Sequence, residues 1–248
     1  IFYQPACAVD VMAGGFDYIT GSGTAYIDEI VVTKNNIIYA AGAFSEASNN
    51  GADDPIQAVA RWNETANLWE PLGTGATGST ADFITAMAYR GDGKIFVAGD
   101  FDSIGGVTAS NIAVYDIGSD SWSNVGGTGA TVGIIQSLTI GLNGEVYATG
   151  SVTQIAGVAV SGVAVFESGS WSAMGSLSSP GTPIGFDIEV DNNGNVYVGG
   201  FFNSADGNLG TKNLAVWKVG DSQWTALGGG TSGTVNSVHW HKGYLYVG

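Results

Sequence analysis

Cationic side chains are scarce in this chain: 7 Lys and Arg stand against 22 Asp and Glu, a formal net charge of −15 over 248 residues. So few cations cannot build the phosphate-neutralising patch that nucleic-acid binding needs, and that class is excluded. A lone cysteine, Cys7, excludes an intrachain disulfide. No cation adjoins it in sequence, so its expected role is that of a small buried hydrophobe. No apolar run approaches the roughly 18 residues of a membrane span. No segment carries sustained helical periodicity with caps. No nucleophile elbow, P-loop or dinucleotide fingerprint stands between a strand and a helix. The chain opens at Ile1 with no initiator Met, as expected where a signal peptide has been removed or where the chain is a piece of a longer one.

What the chain has is glycine, 40 residues of it, and a hydrophobic content of 44%. The latter supplies a core and argues against generic disorder. A strand-like block ending in Gly recurs: Ile38-Tyr39-Ala40-Ala41-Gly42, Ile95-Phe96-Val97-Ala98-Gly99, Val146-Tyr147-Ala148-Thr149-Gly150, Val196-Tyr197-Val198-Gly199-Gly200 and Leu245-Tyr246-Val247-Gly248. Its aromatic returns at spacings of 57, 51, 50 and 49 residues. A turn precedes each block, at Asn35-Asn36, Asp92-Gly93, Asn143-Gly144, Asn193-Gly194 and Lys242-Gly243. Asn-Gly and Asp-Gly predict type I′ hairpins there.

After each of the first four blocks comes a polar loop, then a short apolar strand such as Ala58-Val59-Ala60-Arg61-Trp62 or Leu214-Ala215-Val216-Trp217. A further tryptophan follows (Trp69, Trp122, Trp171, Trp224), then a Gly-rich exit such as Leu72-Gly73 or Met174-Gly175. Each unit thus holds four short strands, a to d, with the Tyr…Gly block as strand b. A four-stranded unit cannot bury both faces alone, so neighbours must stack around an axis. The predicted fold is an all-β propeller of four-stranded blades. Its repeats run roughly over 16–74, 75–127, 128–176, 177–230, and 231–248 together with 1–15. Ile1-Phe2-Tyr3 reads as strand c and the segment 9–15 as strand d. Five blades, closed by strands from both ends, is therefore the expected ring; a fragment of a six- or seven-bladed propeller is the alternative.

At these residues the chain resembles the kelch-type propeller repeat, through Tyr197-Val198-Gly199-Gly200, Val114-Tyr115-Asp116 and Asp120-Ser121-Trp122. It resembles more closely the Gly-rich, kelch-like repeats of large secreted surface proteins. The second unit carries that pattern in Gly99-Asp100-Phe101, Gly105-Gly106, Asn111-Ile112-Ala113-Val114-Tyr115, Trp122 and Val125-Gly126-Gly127. The likeness covers nearly the whole chain, although the Gly pair is complete only at Gly199-Gly200 and Val152 replaces the Phe. It implies binding or display at the cell surface and no shared catalytic residues.

Strand a is expected to line the axis, where its polar residues include Asp28, Glu29, Thr85, Ser137, Asp187, Glu189 and Asn236. Hard oxygen ligands there, Asp28, Asp187 and Glu189, would suit a Ca²⁺ ion; the competing reading is solvation or backbone hydrogen bonding. Asp191-Asn192-Asn193-Gly194 resembles part of a Ca²⁺ loop but reads better as a hairpin turn. His239 and His241 flank Trp240 on the last strand a, and alternation places them on one face. Such a pair with a carboxylate nearby would bind a transition metal; packed or surface histidines are the competing reading. The repeating tryptophans are expected to pack between blades. The non-repeating aromatics Tyr18, Phe83, Phe186 and Trp240 are ligand candidates, as are the long loops 45–57 and 203–212.

The functional expectation is a non-catalytic extracellular or cell-surface propeller that binds carbohydrate or protein, without nucleic acid and without a membrane span. A structural unit of a larger surface protein or fibre is one alternative. A glycoside hydrolase using axial carboxylates, with Asp28, Asp82, Asp187 and Glu189 as candidates, is the other.

Overall fold

The computed structural model describes residues 16–17, 25–49, 52–78 and 82–248. Cys7, Tyr18 and the two strands expected within residues 1–15 lie outside the described residues. Four antiparallel four-stranded sheets follow one another along the chain. The first is Tyr26–Val32, Ile38–Ala43, Val59–Asn63 and Leu68–Pro71. The second is Phe83–Tyr89, Lys94–Asp100, Ile112–Asp116 and Ser121–Asn124. The third is Ile135–Ile140, Val146–Gly150, Val163–Glu167 and Ser170–Ala173. The fourth is Ile184–Val190, Val196–Phe201, Leu214–Trp217 and Thr225–Ala226. A fifth contributes strands a and b, Val238–His241 and Tyr244–Val247.

The core lies in layers between successive sheets. Tyr39, Val59 and Leu72 of the first sheet pack with Ile84, Val97 and Tyr115 of the second. Phe96 and Ile112 of the second pack with Leu138, Ala148 and Trp171 of the third. Because strand b is covered on both faces, it is buried almost continuously from Ile95 to Gly99, whereas strand d alternates, as in Ser121–Asn124.

The Gly that ends each block has a local cause. In each of the four complete sheets strand a carries a β-bulge, at Asp28, Thr85, Gln136 and Phe186. The bulge drives a strand a carbonyl against strand b. A methyl group at Gly42, Gly99, Gly150 or Gly200 would overlap the carbonyl oxygen of Tyr26, Phe83, Ile134 or Ile184 respectively. These glycines answer a close approach of backbone, not a need for positive φ.

Two expectations are corrected. In the turns at Asp92-Gly93, Asn143-Gly144 and Asn193-Gly194 the Gly is left-handed and the residue before it is not, while Lys242 and Gly243 both have positive φ. The first three are therefore not type I′. At the fourth sheet Gly194 N donates to Asp191 O and Asp191 N to Asn195 O, a wider turn ending on a left-handed Gly. Asp191 holds it by accepting from the N–H groups of Asn193 and Asn195, both at 2.8 Å.

The loops 45–57 and 203–212 are not open connections. Glu46–Asn49 and Ala52–Pro55 form a hairpin, and Ser204–Ala205 leads into a 3-10 turn at Leu209–Thr211. Each is tied to the segment that opens its own unit, Phe16–Asp17 to Glu46–Asn49 and Leu177–Ser178 to Ser204–Ala205. Added backbone pairing consumes the polar groups that a free loop would leave to water.

Candidate functional site at the axis and between the sheets

The repeating tryptophans fasten one sheet to the next. Trp122 Nε1 donates to Leu72 O at 3.0 Å, Trp171 Nε1 to Val125 O at 3.1 Å and Trp224 Nε1 to Met174 O at 2.7 Å. Each of these acceptors belongs to the Leu-Gly type exit of the preceding unit. The Gly that follows gives the next indole room: a methyl on Gly126 or Gly175 would overlap Trp171 or come within 2.6 Å of Trp224. In its own sheet each tryptophan meets the aromatic of strand c. The ring pairs are Trp62–Trp69, Tyr115–Trp122, Phe166–Trp171 and Trp217–Trp224, at 5.1–5.5 Å. The expected packing role of these rings is what the geometry gives.

Along the axis, the inner strands are joined by side chains spaced by the repeat. Thr85 Oγ1 donates to Ile135 O of the next sheet at 2.5 Å. Asp187 gathers three sheets. Its Oδ1 accepts from Ser137 Oγ and Ile188 N, both at 2.9 Å. Its Oδ2 accepts from Ser237 Oγ at 3.1 Å and Val238 N at 2.9 Å. Glu189 also reaches forward, its Oε1 accepting from Trp240 N at 3.3 Å and lying 3.4 Å from Nδ1 of His239.

These carboxylates share one electrostatic space. Burial pushes Glu29 up to about 7; the neighbouring negative charges of Asp187 and Asp28 add to the rise, and a hydrogen bond from Ile30 N opposes it. Asp187 belongs to the fourth sheet and Glu29 to the first, so the inner strands of these sheets face a common region. Burial also raises Glu189 to about 7, against the Trp240 N–H bond, with Asp187 adding to the rise. Asp28 is raised by desolvation.

The other expected site residues are dispersed. Phe83 opens the inner strand of the second sheet opposite Asp100. Phe186 occupies the bulge of the fourth. Trp240 stacks on Tyr197, centroids 5.8 Å apart and planes 11° from parallel, joining the fourth and fifth sheets. Asp82 has a left-handed backbone, φ 48°, and its carbonyl accepts from Gln57 Nε2. Among the described residues, no three His, Cys, Asp or Glu side chains converge as a metal-binding group, so Asp28, Asp187 and Glu189 do not meet at one point. Asp191 spends its carboxylate on its own turn, on Asn195 Nδ2 at 2.7 Å and on the Tyr197 hydroxyl at 3.1 Å.

A cleft of about 410 Å³, lined by Arg90 of the second sheet and by Asn143, Glu145, Phe166 and Glu167 of the third, escaped the sequence reading. Arg90 lies over the Phe96 ring at 5.0 Å and pairs with Asp92 at 2.8 Å. Its signal in the sequence is a cation at a position where the other repeats have none.

The fold is a β-propeller, and the solved structures it resembles are of that class. The extracellular domain of BT3049 from B. thetaiotaomicron, assigned as a hybrid two-component system, aligns at 9% identity with a TM-score of 0.57, over 94% of this chain and 27% of that one. The extracellular domain of BT4673, assigned likewise, aligns at 11% identity and 0.51, over 95% and 32%. YCF48 bound to D1 peptide aligns at 12% identity and 0.51, over 94% and 66%. The chain thus spans between about a quarter and two thirds of these proteins' solved lengths. No family model and no curated protein matches it. Among the described residues, no helix is long and apolar enough to cross a membrane.

Proposed function

We propose that this propeller is a non-catalytic binding module that works outside the cell and presents a rigid surface to a protein or a glycan. The observation that carries the reading is the state of Asp187. Both of its oxygens are filled, by two serine hydroxyls and two backbone N–H groups. A carboxylate so held fastens sheets together and has no lone pair poised for a base or a nucleophile. The tryptophan clasps likewise spend the conspicuous side chains on rigidity, which suits a scaffold whose variable positions do the recognising. Two of the propellers it resembles are extracellular domains, and a third was solved with a bound peptide; both fit this reading.

The test is to screen the purified chain on glycan and peptide arrays, and in parallel against a panel of chromogenic glycosides. Saturable binding to one class without turnover is the expected result. Glycoside hydrolysis is the second reading, favoured by the raised protonation of Glu29 and Glu189, since an acid catalyst needs such a carboxyl. Turnover that disappears in Glu29→Gln or Glu189→Gln would replace the binding reading with it.

A further inference from the structure

We infer that the cleft between the second and third sheets is a binding site for a neutral sugar ring, with Phe166 as its apolar wall and Arg90 as its hydrogen-bond donor. The inference rests on the binding reading above and gives it a place and a ligand class. The cleft arises where the repeat breaks. The strand c aromatic and the tryptophan of strand d stand seven apart in Trp62–Trp69, Tyr115–Trp122 and Trp217–Trp224, but five apart in Phe166–Trp171. The third sheet therefore closes with the two-residue turn Ser168-Gly169, both left-handed at φ 50° and 85°, where the second has Ile117-Gly118-Ser119-Asp120. The longer turn fills its own side of the second sheet. Ile117 packs against the core shared with the first sheet, and Asp120 accepts from the Tyr115 hydroxyl. Phe166 has neither the hydroxyl nor the longer turn, and about 410 Å³ stays open beside it. That volume lies within the roughly 300–1,000 Å³ of small-molecule sites.

Both groups are fixed before a ligand arrives, which lowers the cost of binding. The Phe166 ring packs on Phe96, centroids 6.2 Å apart, and on Trp171, 5.4 Å apart. Arg90 lies over Phe96, and its Nε and Nη2 donate to Asp92 Oδ2 at 3.1 and 2.8 Å. Neither bond uses Nη1, whose two N–H groups remain for a ligand oxygen. The Ser168 hydroxyl, exposed at the rim, both donates and accepts. A pyranose has the matching chemistry: a face of C–H groups for the aromatic wall, and hydroxyls that accept from a guanidinium. Charge selects a neutral ring. Asp92 already offsets Arg90 and the chain carries a net −15, so an anionic sugar is repelled, while a cationic one meets Arg90. Glu145 and Glu167 also border the cleft. Strand alternation turns their side chains to the face of Tyr147, which packs with the fourth sheet. Both carboxylates add to the rise that burial gives the Tyr147 hydroxyl, as that placement requires. What these two residues give the cleft is main chain.

The test uses the full chain, titrated with glucose, galactose, mannose, N-acetylglucosamine, lactose and cellobiose, and read by calorimetry and saturation-transfer NMR. Saturable binding of at least one of these is expected, with glucuronate and glucosamine at least tenfold weaker. Arg90→Ala weakens binding at least tenfold, as loss of a charge-assisted hydrogen bond does. Arg90→Lys weakens it comparably, because lysine keeps the charge and loses the second edge of the fork. Replacing Ser168-Gly169 by the four-residue turn of the second sheet closes the cleft and abolishes binding, with a wild-type melting temperature confirming the fold. Sugar binding that survives both Arg90→Ala and the turn replacement overturns the cleft and leaves the wider binding reading standing. Binding of peptides alone, blocked by the turn replacement, overturns the ligand class. Failure of every neutral sugar to bind overturns the inference, and the peptide and glycan arrays then decide the wider reading separately.

Discussion

Replacing Asp187 by Asn should cost stability before it costs anything else. The side chain is nearly isosteric, so packing is conserved and the effect is electrostatic. Each oxygen of Asp187 accepts one serine hydroxyl and one backbone N–H. An amide replaces one oxygen by an NH₂ group, and either orientation points that group at a backbone N–H, of Ile188 or of Val238. A hydroxyl can rotate away; a backbone N–H cannot. One charge-assisted hydrogen bond is lost, at about 1.5–3 kcal/mol, and one donor is stranded, at about 1–3 kcal/mol. Part returns at high pH, because Asp187 raises both Glu29 and Glu189 and its removal eases their ionisation. The expected net loss is about 3 kcal/mol at pH 5.5 and about 2 kcal/mol at pH 8. Urea denaturation followed by tryptophan fluorescence measures both. A Ser137→Ala, Asp187→Asn double-mutant cycle should show coupling, because the two side chains share a bond. A variant as stable as wild type at both pH values would refute the clasp.

Three further outcomes follow from the same geometry. Trp171→Phe deletes the donor to the Val125 carbonyl and leaves a gap beside it, so it should lower stability by about 2–3 kcal/mol in denaturant titration. Gly99→Ala sets a methyl against the Phe83 carbonyl and should destabilise by roughly 3 kcal/mol. Gly93→Ala, with nothing near it but a φ of 88°, should cost about 1–2 kcal/mol; equal and negligible losses at both would remove the bulge argument. Glu29 is protonated more readily in the fold than its ordinary value of 4.5, at about 7. Its contribution to stability is therefore greatest below pH 4.5 and is lost as pH rises towards 7, by about 3 kcal/mol in all. Glu29→Gln should flatten that part of the pH–stability curve and raise the melting temperature at pH 8. An unchanged curve would count against a desolvated Glu29.

The architecture was legible because side chains that fasten sheets must recur wherever a sheet recurs. The later tryptophan proved to be the fastener, and the strand c aromatic its ring partner within the sheet. The reason for Gly99 was not legible, since the carbonyl it avoids belongs to Phe83, and no local pattern announces a bulge at Thr85. The turn type was misjudged at Asn143-Gly144 and Asn193-Gly194 because the dipeptide suits two geometries. The choice was made by turn hydrogen bonds, including those Asp191 accepts. The loop 45–57 was hidden because Glu46–Asn49 and Ala52–Pro55 carry no apolar alternation; main-chain pairing made them strands.

The axial chemistry, by contrast, was within reach of the sequence through the period itself. Residues one repeat apart occupy the same column in neighbouring sheets, so a spacing of 50 predicts a contact wherever two such side chains are complementary. Ser137 with Asp187 and Asp187 with Ser237 are such pairs, each 50 apart and hydrogen-bonded. Glu189 and His239 are spaced by the same 50 residues and lie 3.4 Å apart. A carboxylate remote in sequence from a histidine is, in a repeat of this kind, its neighbour. The columns that break the repeat are then the ones free to evolve chemistry. His239, His241 and Arg90 stand in them, on the last described inner strand and in the cleft between the second and third sheets.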